Sequence, residues 1–357
     1  MSLTNRTIQR RYRRAYKIYF CRTKPQKDFH RAHLIVTTNK QLATIKACYN
    51  TTMNLESVEE ARKAYAKRLT WQWSIFIAIV LALFMLCIAS NQAQSAVMLF
   101  VYGFFAAFIY FIIMALANRT IHRKYRQAYK AYFVEQNLRK VFTDLSYSHE
   151  SGLSSMILSL TGMINTGDRY SSNDFTSGKY KDVAFSQADV HIETEYTDSD
   201  GDTHYTTIFR GRFMIFEFPK QFSFKLAVVG KRFRAYRKPG KNAKTGQKAE
   251  KITTESNEFN SMFRVFGQDG FEAYYILDPA FMVKLMDIAT MHKRRVIFAF
   301  FENRLIVGLD DGKDSFEPPS PLKKIDEAKE NDKIANDIKT ITDFVDQLSL
   351  DRKLFTK

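Results

Sequence analysis

Two long apolar runs dominate the hydropathy pattern of this 357-residue chain. Residues 71–90 and 96–117 contain no charged side chain, whereas the segments around them are rich in Lys and Arg. Each run is about as long as the ~20 residues that a helix needs to cross a ~30 Å hydrocarbon core. A helix of a soluble protein rarely stays apolar on every face for this length. The pattern therefore predicts two membrane-spanning helices joined by a short loop.

Basic residues flank both apolar runs on their outer sides. The cations that precede the first run and follow the second are Arg62, Lys63, Lys67, Arg68, Arg119, Arg123, Lys124 and Arg126. Because Lys and Arg accumulate on the cytoplasmic side of membrane proteins, we expect the N- and C-termini to be cytoplasmic. Only the short loop between the two runs would then cross to the other side.

The pattern divides the chain into four regions. Residues 1–53 form a basic N-terminal segment, and residues 54–145 form the transmembrane hairpin with helical extensions. Residues 146–320 form a cytoplasmic domain, and residues 321–357 contain a C-terminal amphipathic helix. Strong helix formers before the first run and after the second predict that both helices continue into the cytoplasm as a stalk, the second one towards Leu145.

Alternating apolar and polar residues after residue 146 predict an α+β domain with a mixed, mainly antiparallel sheet packed with helices. The predicted strands are Lys181–Phe185, Val190–Tyr196, His204–Phe209, Arg212–Phe218, Phe222–Val229, Glu258–Phe266, Arg295–Phe301 and Leu305–Leu309. Asp200-Gly201 suits a hairpin turn that requires positive φ.

Helix signals in this region are fewer. The Ser-, Gly-, Thr- and Asn-rich segment Ser151–Ser177 predicts one short helix, Ser154–Ile164, followed by a loop. Asp278 followed by Pro279 is typical of a helix N-terminus, and we expect that helix to reach about His292. The terminal amphipathic helix is marked by an apolar series at helical spacing: Ile334, Ile338, Ile341, Val345 and Leu348.

A repeated segment is the most specific feature of the N-terminal half. Asn5–Phe20 and Asn118–Phe133 are identical at twelve of sixteen positions. In each copy the tyrosines fall on one helical face beside Arg residues. Such a helix can bind anionic lipid at the headgroup interface, or pack on the stalk as a solvated basic helix, or bind nucleic acid. Little else in the chain supports nucleic acid. The candidate lipid- or partner-binding residues of the repeats are Arg6, Arg10, Tyr12, Arg13, Tyr16, Arg123, Tyr125, Arg126 and Tyr129.

Composition adds one more basic segment. The net charge is +17, and residues 231–251 hold nine Lys or Arg against one Glu, with Phe233 and Tyr236 interleaved. We expect an exposed loop that is either solvated or docked on an anionic leaflet. Its candidate binding residues are Lys231, Arg232, Arg234 and Arg237. The three cysteines show no CxxC spacing, so neither a disulfide framework nor a zinc site is predicted.

The densest polar cluster lies around the hairpin 191–204. His191, Glu193 and Glu195 alternate by two and so share one face of a strand. If a metal ion binds here, the candidate ligands are Glu193 and His204; a solvent-facing hairpin with an acidic turn is the simpler interpretation. No nucleophile elbow, phosphate loop or HExxH motif is present. We therefore predict no catalytic residue and no cofactor.

Several motifs together resemble a bacterial family of membrane-anchored domains of unknown function, numbered 3137. They are Phe209-Arg-Gly-Arg-Phe213, Glu255-Ser-Asn-Glu-Phe259, Phe263-Arg-Val265, Asp278-Pro279 and Phe316-Glu-Pro318, and the likeness extends over about residues 60–355. The resemblance implies a bacterial inner-membrane protein without an assigned reaction. It also implies a neighbouring membrane protein partner of the LemA type.

These observations favour a membrane-anchored scaffold or interaction protein whose cytoplasmic domain binds a protein partner and anionic lipid. The alternative is a membrane-tethered, metal-dependent enzyme centred on the acidic hairpin. The sequence is compatible with an oligomer but does not specify one.

Overall fold

Two long helices carry the apolar runs. The computed structural model describes residues 54–89, 93–217, 225–237, 249–268 and 270–348. Helix α1 is Leu55–Ala89 and helix α2 is Ala93–Tyr129. At 1.5 Å per residue, α1 is roughly 50 Å long, well beyond the thickness of a hydrocarbon core. Each helix therefore has one apolar part, long enough to cross a membrane, and one polar part, as the sequence predicted.

The two helices lie side by side and run in opposite directions. At the boundary between their polar and apolar parts, the Gln72 and Asn118 side-chain amides bond each other reciprocally at 3.0 and 2.8 Å. The Tyr110 hydroxyl donates to the Gln72 carbonyl at 2.8 Å. Farther along, a Cβ at Gly103 would lie 2.9 Å from Leu83 Cδ1, so this glycine permits a close approach of the helices.

Beyond Tyr129 the second helix continues into the sheet domain. A π-helical segment occupies Lys130–Val134, α3 is Glu135–Val141, and strand β1, Thr143–Ser148, begins one residue later. The helix ends at Val141 because Phe142 adopts an extended conformation. The chain thus stays helical past the second apolar run, and the helix ends four residues before Leu145.

Nine strands form one sheet in the part of the chain that the structure describes. The remaining strands are β2 (Arg169–Tyr180), β3 (Val183–Thr197), β4 (Thr203–Glu217), β5 (Leu226–Gly230), β6 (Glu250–Ile252), β7 (Phe263–Gly267), β8 (Val296–Phe301) and β9 (Arg304–Leu309). Their spatial order is β1-β2-β3-β4-β9-β8-β5-β7-β6, and every described pair is antiparallel. The α+β class is confirmed.

Several elements differ from prediction. The strands predicted at Lys181–Phe185 and Val190–Tyr196 form the single strand β3, those at His204–Phe209 and Arg212–Phe218 form β4, and the helix predicted at Ser154–Ile164 covers only Ser155–Ser159. Two other segments change type. Residues 169–180, expected within a loop, form β2, because this segment lies between β1 and β3 and its backbone bonds to both. Polar composition does not prevent a strand when both of its edges are paired. Glu258–Phe266, expected as one strand, is helix α5 (Asn257–Met262) followed by β7, since the Ser256 side chain caps the helix through the Phe259 N–H.

Helices cover both faces of the sheet. On one face lie α3, α5, α6 (Gly270–Ile276), α7 (Pro279–Met291) and α8 (Glu327–Leu348) together with the end of α2; on the other lies α4 (Ser155–Ser159). Asp278 caps α7 as predicted. All five predicted apolar positions of α8 are buried, and each such burial contributes roughly 1.5–3 kcal/mol.

The reciprocal amide pair offers a test of helix packing. Replacing Gln72 by Leu should leave the Asn118 amide without its hydrogen-bond partner and destabilise the protein by about 1 kcal/mol. Asn118→Leu should leave the Gln72 amide unpaired and have a similar effect. The double variant should lie closer to wild type than the sum of the two losses, because neither amide is then left unpaired. Thermal unfolding in detergent measures all four proteins; strict additivity of the two losses would contradict the pairing.

Candidate functional site

A buried lysine lies where the second helix meets the sheet. Lys130 is fully buried, and its Nζ lies 2.5 Å from Asp174 Oδ2 and 2.7 Å from Glu317 Oε1. Asp174, whose side chain is also fully buried, accepts a hydrogen bond from the Tyr147 hydroxyl at 2.6 Å. Arg126 pairs with Glu317. We call these five residues the Lys130 cluster.

Local irregularities of the backbone bring the cluster together. Lys130 begins the π-helical segment, whose wider turn places both Tyr129 and Lys130 against the domain. Asp174 sits in a bulge of β2, where three steps along that strand match two along β3. Its φ is 56°, an uncommon value for a residue other than glycine. Such irregularities are frequent at functional sites, so these residues are the strongest candidate for one.

The segment that follows β9 closes the cluster. Phe316, with φ of 60°, is fully buried, and its ring meets that of Tyr147 edge-on at 6.4 Å. The next residue, Glu317, reaches Lys130. A little farther on, the Tyr125 hydroxyl donates to the Pro319 carbonyl at 3.1 Å. The end of α2 is thereby fixed to residues that are distant in sequence.

A second buried charge adjoins the first. Arg212 on β4 donates to the Ser315 hydroxyl at 2.5 Å and to the Asp337 carbonyl at 2.6 Å, and its Nε lies 3.9 Å from Asp189 Oδ1. The Ser315 N–H donates to Asp189 Oδ2 at 2.7 Å. Burial raises the pKa of the Asp189 carboxyl to about 7; Arg212 opposes this rise and the negative charge of Asp174 adds to it.

The phenols of the site act as neutral donors. Burial, reinforced by Asp174, raises the pKa of Tyr147 far above its ordinary value. Burial likewise raises the pKa of Tyr125 and of Tyr129, whose hydroxyl donates to Glu330 Oε2 at 2.5 Å. Burial also raises the pKa of Asp174, against the opposing effect of Lys130. Most polar groups of the site are thus used in internal contacts, although the buried Nε of Arg126 has no hydrogen-bond partner among the described residues.

Three carboxylates beside Lys130 have the spacing of a metal site. Ligand atoms of Asp174, Asp314 and Glu317 all lie within 4.8 Å of one another. However, Lys130 contacts two of them directly, and Arg126 contacts Glu317. Side-chain cations therefore already supply positive charge here, so the spacing alone does not indicate a metal ion.

A small polar cavity lies next to this site. Its volume is about 150 Å³, below the ~300 Å³ at which pockets for small organic ligands begin. It is lined by Ser171, Asn173, Asp189, Val190, His191, Arg210, Lys313 and Asp314. The lining includes both cations and carboxylates, so it has no single charge preference.

The repeat residues predicted to bind lipid or a partner fall into two groups. Arg6, Arg10, Tyr12, Arg13 and Tyr16 lie outside the described residues. Of the candidate residues in the second copy, only Arg123 is exposed, and it pairs with Glu150. Tyr125 and Tyr129 are buried and Arg126 is partly buried against Glu317. In this structure the second copy packs on the domain, and the rings of Tyr125 and Tyr129 are not available to lipid.

The candidate metal ligands of the acidic hairpin do not converge. Tyr196 pairs with His204 across the strands, whereas Glu193 pairs with Thr207, so the two candidates lie on opposite faces. The His204 ring stacks on Tyr196 at 5.4 Å and bonds Asp198 at 2.7 Å. Glu193 and His204 therefore cannot hold one ion together, because three positions of regular register separate them along the hairpin and place their side chains on opposite faces. The turn itself is as predicted, with Gly201 at φ 88°.

The basic segment is partly ordered by the core. Lys231, Arg232, Arg234 and Arg237 are exposed as predicted, but Phe233 is buried. Residues 249–252 include strand β6, and residues 238–248 lie outside the described residues. The expectation of one exposed loop over 231–251 is therefore wrong at both ends, since each end packs against the sheet.

Comparison with known proteins gives one family. Residues 207–350 match the model of a protein family of unknown function, DUF3137. The C-terminal part of the chain resembles this family. No curated protein matches the chain. Among solved structures, the mycobacterial trehalose monomycolate transport factor A, TtfA, aligns with a TM-score of 0.34 and 10% identity, over 62% of this chain and 93% of that one. That likeness is too distant to support a statement about this chain.

Two of the motifs that carried the resemblance to DUF3137 meet at the site. Phe209-Arg-Gly-Arg-Phe213 supplies Arg212, and Phe316-Glu-Pro318 supplies Glu317. Lys130 and Asp174 lie outside the matched residues and were missed from sequence. The only sequence feature that could have indicated a role for Lys130 was its position beside the tyrosine face of a predicted helix. Asp174 offered no such feature, because it lies in a segment that was expected to be a loop.

Removing the buried ammonium tests the Lys130 cluster. Lys130→Met should destabilise the protein by about 3–5 kcal/mol, because it leaves the buried Asp174 carboxylate without its cation. Adding Asp174→Asn should recover part of this loss. Lys140→Met, at an exposed position on the same helical extension, should stay within about 0.5 kcal/mol of wild type. Thermal unfolding followed by circular dichroism measures all four; equal losses for the two lysines would contradict the assignment.

The raised pKa of Asp189 predicts a pH dependence of stability. Its ordinary value is 3.8 and its folded value about 7, so the folded state holds the proton more tightly between these limits. The stabilising contribution is complete below pH 3.8 and is lost as the pH rises through 7.

Asp189→Asn should abolish this contribution. The melting temperature of wild type minus that of the variant should therefore fall from pH 5 to pH 8. A difference that stays constant over this range would show that Asp189 does not titrate there.

Proposed function

We propose that this protein is a membrane-anchored scaffold or interaction protein of the bacterial inner membrane. Its α+β domain would stand on two membrane-spanning helices and bind a protein partner in the cytoplasm. The observation that carries the proposal is the rigid connection of the apolar helix α2 to the sheet through the Lys130 cluster.

Exposure of the apolar helices supports the membrane anchor. Large apolar side chains remain uncovered along both helices. Between 48% and 62% of the surface is exposed for Leu81, Phe84, Phe105, Phe108 and Ile112. A core helix of a soluble domain would be covered by other elements. Contiguous apolar surface of this extent marks a membrane or an interface, and the uncharged length of each run favours the membrane.

The distribution of cations supports a cytoplasmic domain. Lys and Arg precede the first apolar run and follow the second, and the second group lies between the apolar run and the sheet domain. This arrangement keeps the domain and both termini inside the cell.

The use of polar groups supports a binding role rather than catalysis. The buried cations and carboxylates of the site contact one another, and the adjacent cavity is small. A protein partner would therefore bind an outer surface of the domain. The resemblance to DUF3137 adds the expectation of a membrane protein partner of the LemA type.

Fusion reporters test the topology. Full-length protein carrying green fluorescent protein at its C-terminus should fluoresce in a bacterial host, whereas a C-terminal alkaline phosphatase should be inactive, because that enzyme matures only in the periplasm. The membrane fraction should keep the protein through alkaline carbonate washing and release it to detergent. An active phosphatase fusion, or protein recovered in the carbonate supernatant, would refute the anchor.

A further inference from the structure

Seven exposed cations form one surface at an end of the sheet. They are Lys231, Arg232, Arg234, Arg237, Lys293, Arg294 and Arg295, all exposed, and we call them the basic face. Only the first four come from the basic segment noted in the sequence. The other three belong to the turn between α7 and β8, more than fifty residues later.

The two segments of the basic face are fixed against each other. The Arg232 N–H donates to the Arg294 carbonyl at 3.2 Å, and the Arg237 N–H donates to the Met163 carbonyl at 2.8 Å. Phe233 and Ala235 are buried between the cations. The side chains of the basic face are thus carried on a packed backbone, and binding an anion does not require a loop to be ordered first.

The charge of the basic face is not neutralised within the described part of the chain. Among those residues, none of the seven cations forms an ion pair with a carboxylate, although eighteen such pairs are present elsewhere. Seven like charges on one surface repel one another. An external anion would relieve that repulsion.

The contacts of α2 show which end of the sheet faces the apolar helices. Arg123, near the apolar run, pairs with Glu150 just after β1, whereas Phe142, farther along the chain, contacts Phe185 at the start of β3. Strand β3 therefore begins at the end of the sheet remote from the apolar runs and proceeds towards them. Thr197 lies at the near end.

Strand register carries this direction across the sheet. Arg212 of β4 pairs with Leu309, and Leu309 pairs with Val296, so both lie towards the near end. Val229 of β5 pairs with Ile297. Because residues 231–237 follow β5 and residues 293–295 precede β8, the basic face lies at the same end of the strands as Thr197 and Leu309, the end that meets α2 nearest its apolar run through Glu150.

We infer that the basic face binds the anionic lipid headgroups of the membrane that holds α1 and α2. This inference rests on the membrane anchor proposed above and assigns the lipid-binding surface within it. Anionic lipids give the cytoplasmic leaflet a negative surface potential that attracts clustered Lys and Arg. Nucleic acid fits the face less well, since Phe233 is buried and Tyr236 is stacked on Phe266 at 6.1 Å, so neither ring is free to stack on a base.

The experiment measures the distance of the basic face from headgroups in the full-length protein. Cys21, Cys48 and Cys87 are replaced by serine, and Met291, exposed beside the face, is replaced by cysteine and labelled with a small fluorophore. The protein is reconstituted in nanodiscs that contain headgroup spin-labelled lipid as quencher, in either neutral phosphatidylcholine or a mixture with phosphatidylglycerol.

We expect quenching of the label at least twofold stronger in the anionic discs than in neutral ones, and weaker as salt increases. The variant Arg232→Gln/Arg234→Gln/Arg294→Gln/Arg295→Gln should return the anionic value to the neutral one. A matched variant removes four cations at the remote end of the sheet, Arg139→Gln/Lys140→Gln/Lys179→Gln/Lys181→Gln, and should leave quenching unchanged.

Equal quenching in both lipids, or equal loss in both variants, would overturn the inference. Displacement of the label from anionic discs by added RNA, with the same four arginines required, would assign the face to nucleic acid instead and would also overturn it. Fluorescence of Trp71 and Trp73, the two tryptophans of the chain, reports separately on whether α1 is in the bilayer. It therefore distinguishes a failure of this inference from a failure of the membrane anchor. Brominated acyl chains should quench this fluorescence whenever α1 is in the bilayer, whatever the basic face does.

Discussion

Burial of the Lys130 ammonium constrains how the two long helices and the sheet domain can meet. An isolated buried charge costs several kcal/mol, and that cost is offset only when partners are placed at hydrogen-bonding distance. Here the partners are Asp174, on a bulged strand, and Glu317, on the segment after β9. A displacement of α2 by one residue along its axis would move the ammonium by about 1.5 Å and disrupt both contacts. The cluster therefore fixes the register of the helix on the sheet.

Apolar packing and the charge cluster make different contributions. The end of α2, α3, α7 and α8 cover one face of the sheet with a continuous apolar core, and this burial is the main source of stability. Apolar contacts are tolerant of small shifts, whereas a salt bridge in a dry interior is not. We attribute the stability of the packed layers to the apolar core. We attribute the single alignment of α2 on the sheet to the Lys130 cluster. The stability of Lys130→Met with and without Asp174→Asn tests the role of the cluster.

Periodicity in the sequence was sufficient for the long helices, for α7 and α8, and for the hairpin of β8 and β9, because each has a clear apolar repeat or a strong cap. It failed for β2, whose Ser, Asn and Thr residues form a strand only because partners are supplied on both edges. The site was harder still. Asp174 becomes buried through a bulge, and no local pattern in one sequence predicts a bulge.

The repeat shows the same limit more clearly. The buried positions of the second copy are Tyr125, Ala128, Tyr129, Lys130 and Phe133, and all five are identical in the first copy. The four differences lie at positions that are exposed or half-buried in the second copy: His122, Lys124, Gln127 and Ala131. Sequence comparison revealed the likeness, but only the structure distinguishes the packed face from the face that varies.

Both helices are attached to the same stretch of chain, which has a mechanical consequence. Arg62 of α1 donates to the Pro321 carbonyl and Glu59 accepts from the Ile325 N–H, while α2 holds Glu317 and Pro319. A domain attached to one helix could rotate about the axis of that helix, whereas contacts with two helices prevent this rotation. A change in tilt of the helix pair would therefore rotate the sheet with it.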